Sequence, residues 1–214
     1  MMKGFIASIL ISLFVVSTIT AQTDASTNLK NITNRLEKDS GITATLEFTD
    51  NTQLNIFEDG SKGSFKLWQE CFEIDIIKFR IWFDGTTLWT MNSMNGYEEI
   101  YITSPDQDEL STINPLLFLK QSGLAVKNGI DTGNSKSVIV PLQNLNIGEY
   151  NLQIEVVYNS ENYRISQLNF SDINNPNEKV EIKVTNYKSG HNFNKTEFRC
   201  PASNYPDAEI VDMR

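Results

Sequence analysis

The sequence predicts a mainly β protein (α+β), built on an antiparallel sheet that is strongly curled or rolled into a barrel. Three observations carry this. From Ile42 onward apolar residues alternate with period two through run after run. The runs are joined by short polar turns. Helical spacing appears only near the start and in mid-chain, so no helix separates the last strand-like runs.

The first helix reads from ASTNLKNITNRLEKDSG, residues 25–41, where Leu29, Ile32 and Leu36 recur at spacings of three and four. Asp24 or Ser26 serves as its cap and Gly41 as its stop. Ile42, Ala44, Leu46 and Phe48 then share one face of a strand, and Leu54 and Ile56 suggest a second. Phe65 and Leu67 continue the pattern, followed by Phe72, Ile74 and Ile76. FRIWF (79–83) runs into TLWTM (87–91) through Asp84 and Gly85, a dipeptide suited to a tight hairpin. YEEIYIT (97–103) adds one more strand.

Residues 104–123, SPDQDELSTINPLLFLKQSG, break the alternation and read as two short helices. Pro105 takes a first-turn position with Asp106, Asp108 and Glu109 behind it; Asn114 caps the second helix, Pro115 follows and Gly123 stops it. Leu116, Leu117, Phe118 and Leu119 are consecutive, and at roughly 100° per residue they point all the way round a helix. Such a helix requires apolar surroundings on more than one side. Four strand-like runs follow, at 136–143, 148–159, 163–172 and 179–190, with NSEN at 159–162 forming a hairpin turn.

Met1 to Lys3 make a short basic start, Phe5 to Ile19 are almost continuously apolar, and the run ends at Thr20, Ala21 and Gln22. About 15 apolar residues are few for a bilayer span, so the pattern predicts a cleavable signal peptide, residues 1–21, ahead of one domain, 22–214. No Cys sits at the cleavage point for lipidation, which predicts a soluble, periplasmic or secreted product. The net charge of −9 falls to −10 without Lys3 and argues against nucleic acid or an anionic membrane surface. An oxidising compartment allows one disulfide between Cys71 and Cys200, or leaves two unpaired thiols.

Reactive groups are few. The single histidine, His191, lies in a polar SGHNFN turn, which removes His-rich metal sites and leaves any nucleophile with one candidate base. Asp131–Gly133 spell DTG between polar flanks, unlike a protease triplet on a buried strand. The acids of SPDQDEL are explained by the preference of carboxylates for a helix N-terminus. The sequence therefore predicts no enzyme, no metal and no cofactor.

FDGTTLWTMN (83–92), followed by NPLLFL (114–119) and the ending NYPDAEIVDMR (204–214), resembles the LolA-like family of periplasmic outer-membrane lipoprotein carriers, especially its diverged branch. The resemblance spans essentially all of residues 22–214. It implies an incomplete barrel, a strongly curved antiparallel sheet closed by a lid of short helices. Acyl chains of lipoproteins would sit between sheet and lid on their way from the inner to the outer membrane. The implied partners are acylated outer-membrane lipoproteins, an inner-membrane lipoprotein-releasing ABC transporter and, where one exists, an outer-membrane receptor; the protein itself is expected to be a monomer. Phe48, Phe65, Leu67, Trp82, Trp89, Met91 and Ile100 are the expected cavity wall. Leu29, Ile32, Leu36, Ile113, Leu116, Leu117 and Phe118 are the expected lid. In better-known carriers an Arg after a G-x-L-W stretch latches the lid, whereas GSFKLWQECFEI here puts Gln69 and Glu70 at that place. The competing reading is a lipid-sensing or protein-interaction module of the same fold that shuttles nothing.

Overall fold

Leu29 and Ile32 are buried and Leu36 half-buried, so the stripe predicted for the first helix forms, on α1 (Ala25–Asp39). Buried Thr33 sits in its interior with the hydroxyl donating back to the Leu29 and Lys30 carbonyls at 3.0 and 2.9 Å, which spares the polar group an unpaired position. The helix stops where Ser40 and Gly41 turn left-handed, at φ 26° and 63°. The Gly190 amide donates to both the Asp39 and Ser40 carbonyls, covering the helix end. A Cβ on Gly41 would lie 1.8 Å from the His191 carbonyl oxygen, so this junction requires glycine for space as well as for φ.

A computed structural model describes residues 25–52, 57–76, 79–94, 97–107, 109–110, 114, 119–120, 125–131, 136–142, 145–147, 150–172 and 174–214. The strands are β1 (Ile42–Asp50), β2 (Lys62–Trp68), β3 (Cys71–Ile76), β4 (Phe79–Phe83), β5 (Leu88–Met94), β6 (Tyr97–Thr103), β7 (Ala125–Asp131), β8 (Lys136–Leu142), β9 (Leu145–Ile147), β10 (Tyr150–Asn159), β11 (Ile165–Asp172), β12 (Asn175–Lys188) and β13 (Glu209–Asp212). They form one 13-stranded sheet in the order β13-β6-β5-β4-β3-β2-β1-β12-β11-β10-β8-β7, with β9 beside β10. The path is open, with β13 and β7 at its ends, so the sheet does not close into a barrel. It is also mixed, because β13 runs parallel to β6 while the other pairs are antiparallel. The predicted all-antiparallel sheet is corrected at that edge.

Sequence-adjacent strands pair over β1–β6, through a longer loop at 51–61 and through short connections from β2 onward. At the β4–β5 hairpin Gly85 takes φ 90°, and the buried Asp84 carboxylate accepts the Thr86 and Thr87 amides at 3.1 and 2.9 Å. The β10–β11 hairpin turns at Asn159, whose side chain accepts the Glu161 and Asn162 amides. The suggested strand around Leu54 and Ile56 lies outside the described residues, as do Ile113 and Pro115–Phe118. In the described part of the mid-chain stretch, the Leu110 amide donates to the Asp106 carbonyl and the Asn114 amide to the Leu110 carbonyl, a helical spacing. Among the described residues no helix is long and apolar enough to cross a membrane.

Candidate functional site

Residues directly opposite each other on paired strands share a sheet face, so the register converts single residues into rows. Ile42, Leu67, Phe72, Phe83 and Leu88 form one row from β1 to β5. Ala44, Phe65, Ile74 and Ile81 form the row beside it. Across the other half, Val156, Leu168, Ile182 and Phe48 align from β10 to β1. All three rows occupy the same face, because Ile42, Ala44 and Phe48 are alternate residues of β1. That face is apolar over most of the sheet.

α1 lies on this face. Leu29 and Ile32 pack with Ile154, Val156 and Tyr158, while Leu36 reaches both that cluster and the one around Ile42, Leu67, Phe72, Phe83 and Leu88. Leu110 joins the second cluster and Leu119 the first, so the described ends of the mid-chain stretch also cover the face. Asn114 is fully buried and its Nδ2 donates to the Glu70 carbonyl at 2.9 Å, tying that stretch to the β2–β3 turn. Lys120 pairs with Glu37 on α1. Phe57, from the loop after β1, stacks on Phe48 with ring centroids 4.6 Å apart.

The polar anchor of α1 was not visible in the sequence. Asp39, buried in its last turn, accepts from Arg35 at 2.7 Å, from Arg164 Nε at 3.1 Å and from the Tyr187 hydroxyl at 2.9 Å. The Arg164 guanidinium also lies 4.8 Å over the Tyr187 ring. Burial alone would push the Asp39 carboxyl up, but the hydrogen bonds from Arg35, Tyr187 and Arg164 outweigh it and hold it below the usual carboxylate range. Burial and the Asp39 charge push the Tyr187 phenol strongly up. A β-bulge near Asn186, at φ 50°, lets β12 turn Tyr187 toward the helix. An acid at a helix C-terminus opposes the macrodipole. That conflict is the signal by which an arginine partner could have been sought.

A cleft of about 310 Å³ opens where α1 ends. Leu36 and Leu67 line it beneath Glu37, Ser40, Gly41, Gln69, Glu70 and Lys120.

The expected cavity wall divides. Phe48, Phe65 and Leu67 are on the helix-covered face. Trp82, Trp89, Met91 and Ile100 are on the reverse, because Trp82 opposes Glu73 and Trp89 while its neighbour Phe83 opposes Phe72 and Leu88. Met91 pairs with Arg80 and Ile100 on that same reverse face. The two groups cannot line one cavity. The reverse face is covered by the chain end: Cys200, Tyr205 and Ala208 pack against Trp82, Met91 and Ile100, and buried Phe198 stacks on Trp68. Arg199 fastens this segment to Asp84 at 2.9 Å, and Arg80 pairs with Tyr205 and Asp75. On the helix side, Ile81, Phe83 and Leu88 take the places expected of Trp82, Trp89 and Met91.

Cys71 and Cys200 are free thiols, the first buried and the second half-buried. Burial pushes Cys200 up to about 11, and burial pushes Cys71 up against the opposing pull of Lys195. At pH 8 the folded chain should therefore alkylate with iodoacetamide about two orders of magnitude more slowly than the chain in urea, where thiols titrate near about 8.5. Equal rates would contradict this placement, and a loss of two hydrogens by mass would show a disulfide instead.

No family model and no curated protein matches this sequence. Among solved structures the chain is similar to the LolA superfamily protein of Nitrosomonas europaea, with a TM-score of 0.45 and 11% identity over 82% of this chain and 97% of that one. It is similar to the lipoprotein LppX of Mycobacterium tuberculosis, with a TM-score of 0.44 and 10% identity over 78% and 97% of the two chains. It is also similar to a chain of the MucA/MucB complex of Pseudomonas aeruginosa, with a TM-score of 0.39 and 12% identity over 84% of this chain and 62% of that one.

Proposed function

We propose that the helix-covered sheet face takes up acyl chains of lipoproteins, with α1 and the 106–120 stretch as its lid, and that the protein carries them through the periplasm to the outer membrane. Under this reading residues 1–21 direct export and 22–214 are one carrier domain; the inner-membrane releasing ABC transporter loads it, an outer-membrane receptor or the membrane itself unloads it, and the role is binding rather than catalysis. The observation that carries it is the set of apolar rows running from β10 through β1 to β5 under the amphipathic helix α1.

The energetics fit exchange. Each CH₂ withdrawn from water is worth about 0.8 kcal/mol, so one fatty chain brings on the order of 10 kcal/mol to the face. Withdrawing Leu29, Ile32 and Leu36 forfeits roughly 1.5–3 kcal/mol apiece. The helix therefore forfeits less than one chain brings, so an acyl chain can displace it from the sheet without ATP consumed by the carrier.

The direct test is titration of the purified chain with a neutral peptide bearing an S-dipalmitoylglyceryl cysteine and with the same peptide unacylated. Saturable binding of the acylated form alone is expected. Equal binding of both, or of neither, would sink the proposal.

A further inference from the structure

The cleft at the end of α1 is contiguous with the apolar rows yet different in character. Its floor, Leu36 and Leu67, belongs to the clusters under the helix, while its rim is charged. Two polar ties of the mid-chain stretch, Asn114 to the Glu70 carbonyl and Lys120 to Glu37, reach its edge. A molecule whose apolar part lies under α1 and whose polar part stays in water would leave the face at this point.

The rim selects what that polar part can be. Glu37 and Lys120 neutralise each other, whereas the exposed carboxylate of Glu70 has no ion-pair partner among the described residues. Among the described lining residues the charges, two carboxylates and one ammonium, therefore sum to −1. At about 310 Å³ the space is at the small end of ligand pockets, suited to a head group and not to whole acyl chains. We infer that this cleft holds the glyceryl-cysteinyl end of a diacylated polypeptide and prefers one whose α-amino group is free and cationic, with Glu70 as its partner. The inference rests on the acyl-binding reading above and adds the head-group chemistry. Anionic phospholipid, which shares the acyl chains, is disfavoured by the same charge.

Three probes separate the possibilities: a neutral peptide with S-dipalmitoylglyceryl cysteine and a free α-ammonium, its N-acetylated counterpart, and dipalmitoyl phosphatidylglycerol. The ammonium form should bind about two- to fivefold tighter than the acetylated one, the range of a partly exposed ion pair. Glu70→Gln should erase that difference, and Glu70→Lys should move the phospholipid ahead of the ammonium peptide. Because Glu70 is exposed, both variants should unfold in urea as the parent does, which checks that the fold is intact. Equal affinities in all three proteins, or a parent that prefers the phospholipid, would overturn the inference while leaving acyl binding in place. Failure of every acylated probe to bind would overturn both.

Discussion

Asp39→Ala is expected to lower the stability of the folded chain by about 2–3 kcal/mol. Removing one partner of a buried ion pair costs about 3–5 kcal/mol, because the remaining charges are stranded. Here the carboxylate is 6% exposed but Arg35 and Arg164 are 27% and 36% exposed, so water recovers part of the loss. Relief of the acid's conflict with the helix dipole returns a further few tenths. Urea unfolding at pH 7 should show the drop as a lower midpoint at unchanged slope. The pH dependence identifies the carboxylate. Its folded pKa lies below the unfolded one, so its contribution is complete above about pH 4 and disappears as pH falls through the folded value. The gap between parent and Asp39→Asn should be constant from pH 5 to 7 and close below pH 4. A gap that persists undiminished in acid would mean that side-chain packing, not charge, accounts for the loss.

Much of the fold was legible because it rests on local rules. The α1 stripe, the alternation of β1 and the Asp84–Gly85 turn all formed where spacing put them. The β7, β9 and β13 strands were not read, since β9 has only three residues and β13 is an edge pairing made with a strand distant in sequence. The site was legible by halves for one reason. In β4 and β5 both faces carry large apolar side chains, so alternation marks a strand but cannot say which face meets the helix. Alternation alone groups Trp82 and Trp89 with the cavity wall, whereas the register puts them on the reverse face. Only the register, which puts their neighbours Phe83 and Leu88 opposite one another in the Phe72 row, and contact with the chain end assign them, and that second contact joins residues more than a hundred positions apart. Asp39, Arg164 and Tyr187 come together for the same kind of reason, from residues about 125 and 148 positions away from the helix end.

If α1 competes with acyl chains for the sheet, substitutions on helix and sheet should change binding in opposite directions. Ile32 is fully buried between α1 and the row containing Val156, and Ile32→Ala should cost about 2–3 kcal/mol, the low end for such truncations because a helix on an open sheet can settle. The loss weakens the closed state specifically. Each 1.4 kcal/mol removed from closure raises the apparent affinity of a ligand that needs the open face about tenfold, so the diacylated peptide should bind roughly tenfold tighter or more to the less stable protein. Leu168, half-buried on β11 between Val156 and Ile182, belongs to the surface competed for. Leu168→Ala should lower stability less than Ile32→Ala does, yet weaken acyl binding about tenfold, the worth of one leucine contact. Circular dichroism and urea midpoints would establish that both variants are folded under the binding conditions. If both lose affinity together, α1 is a fixed wall of the binding site and not a competitor for it, and exchange between helix and acyl chain is not how the protein loads.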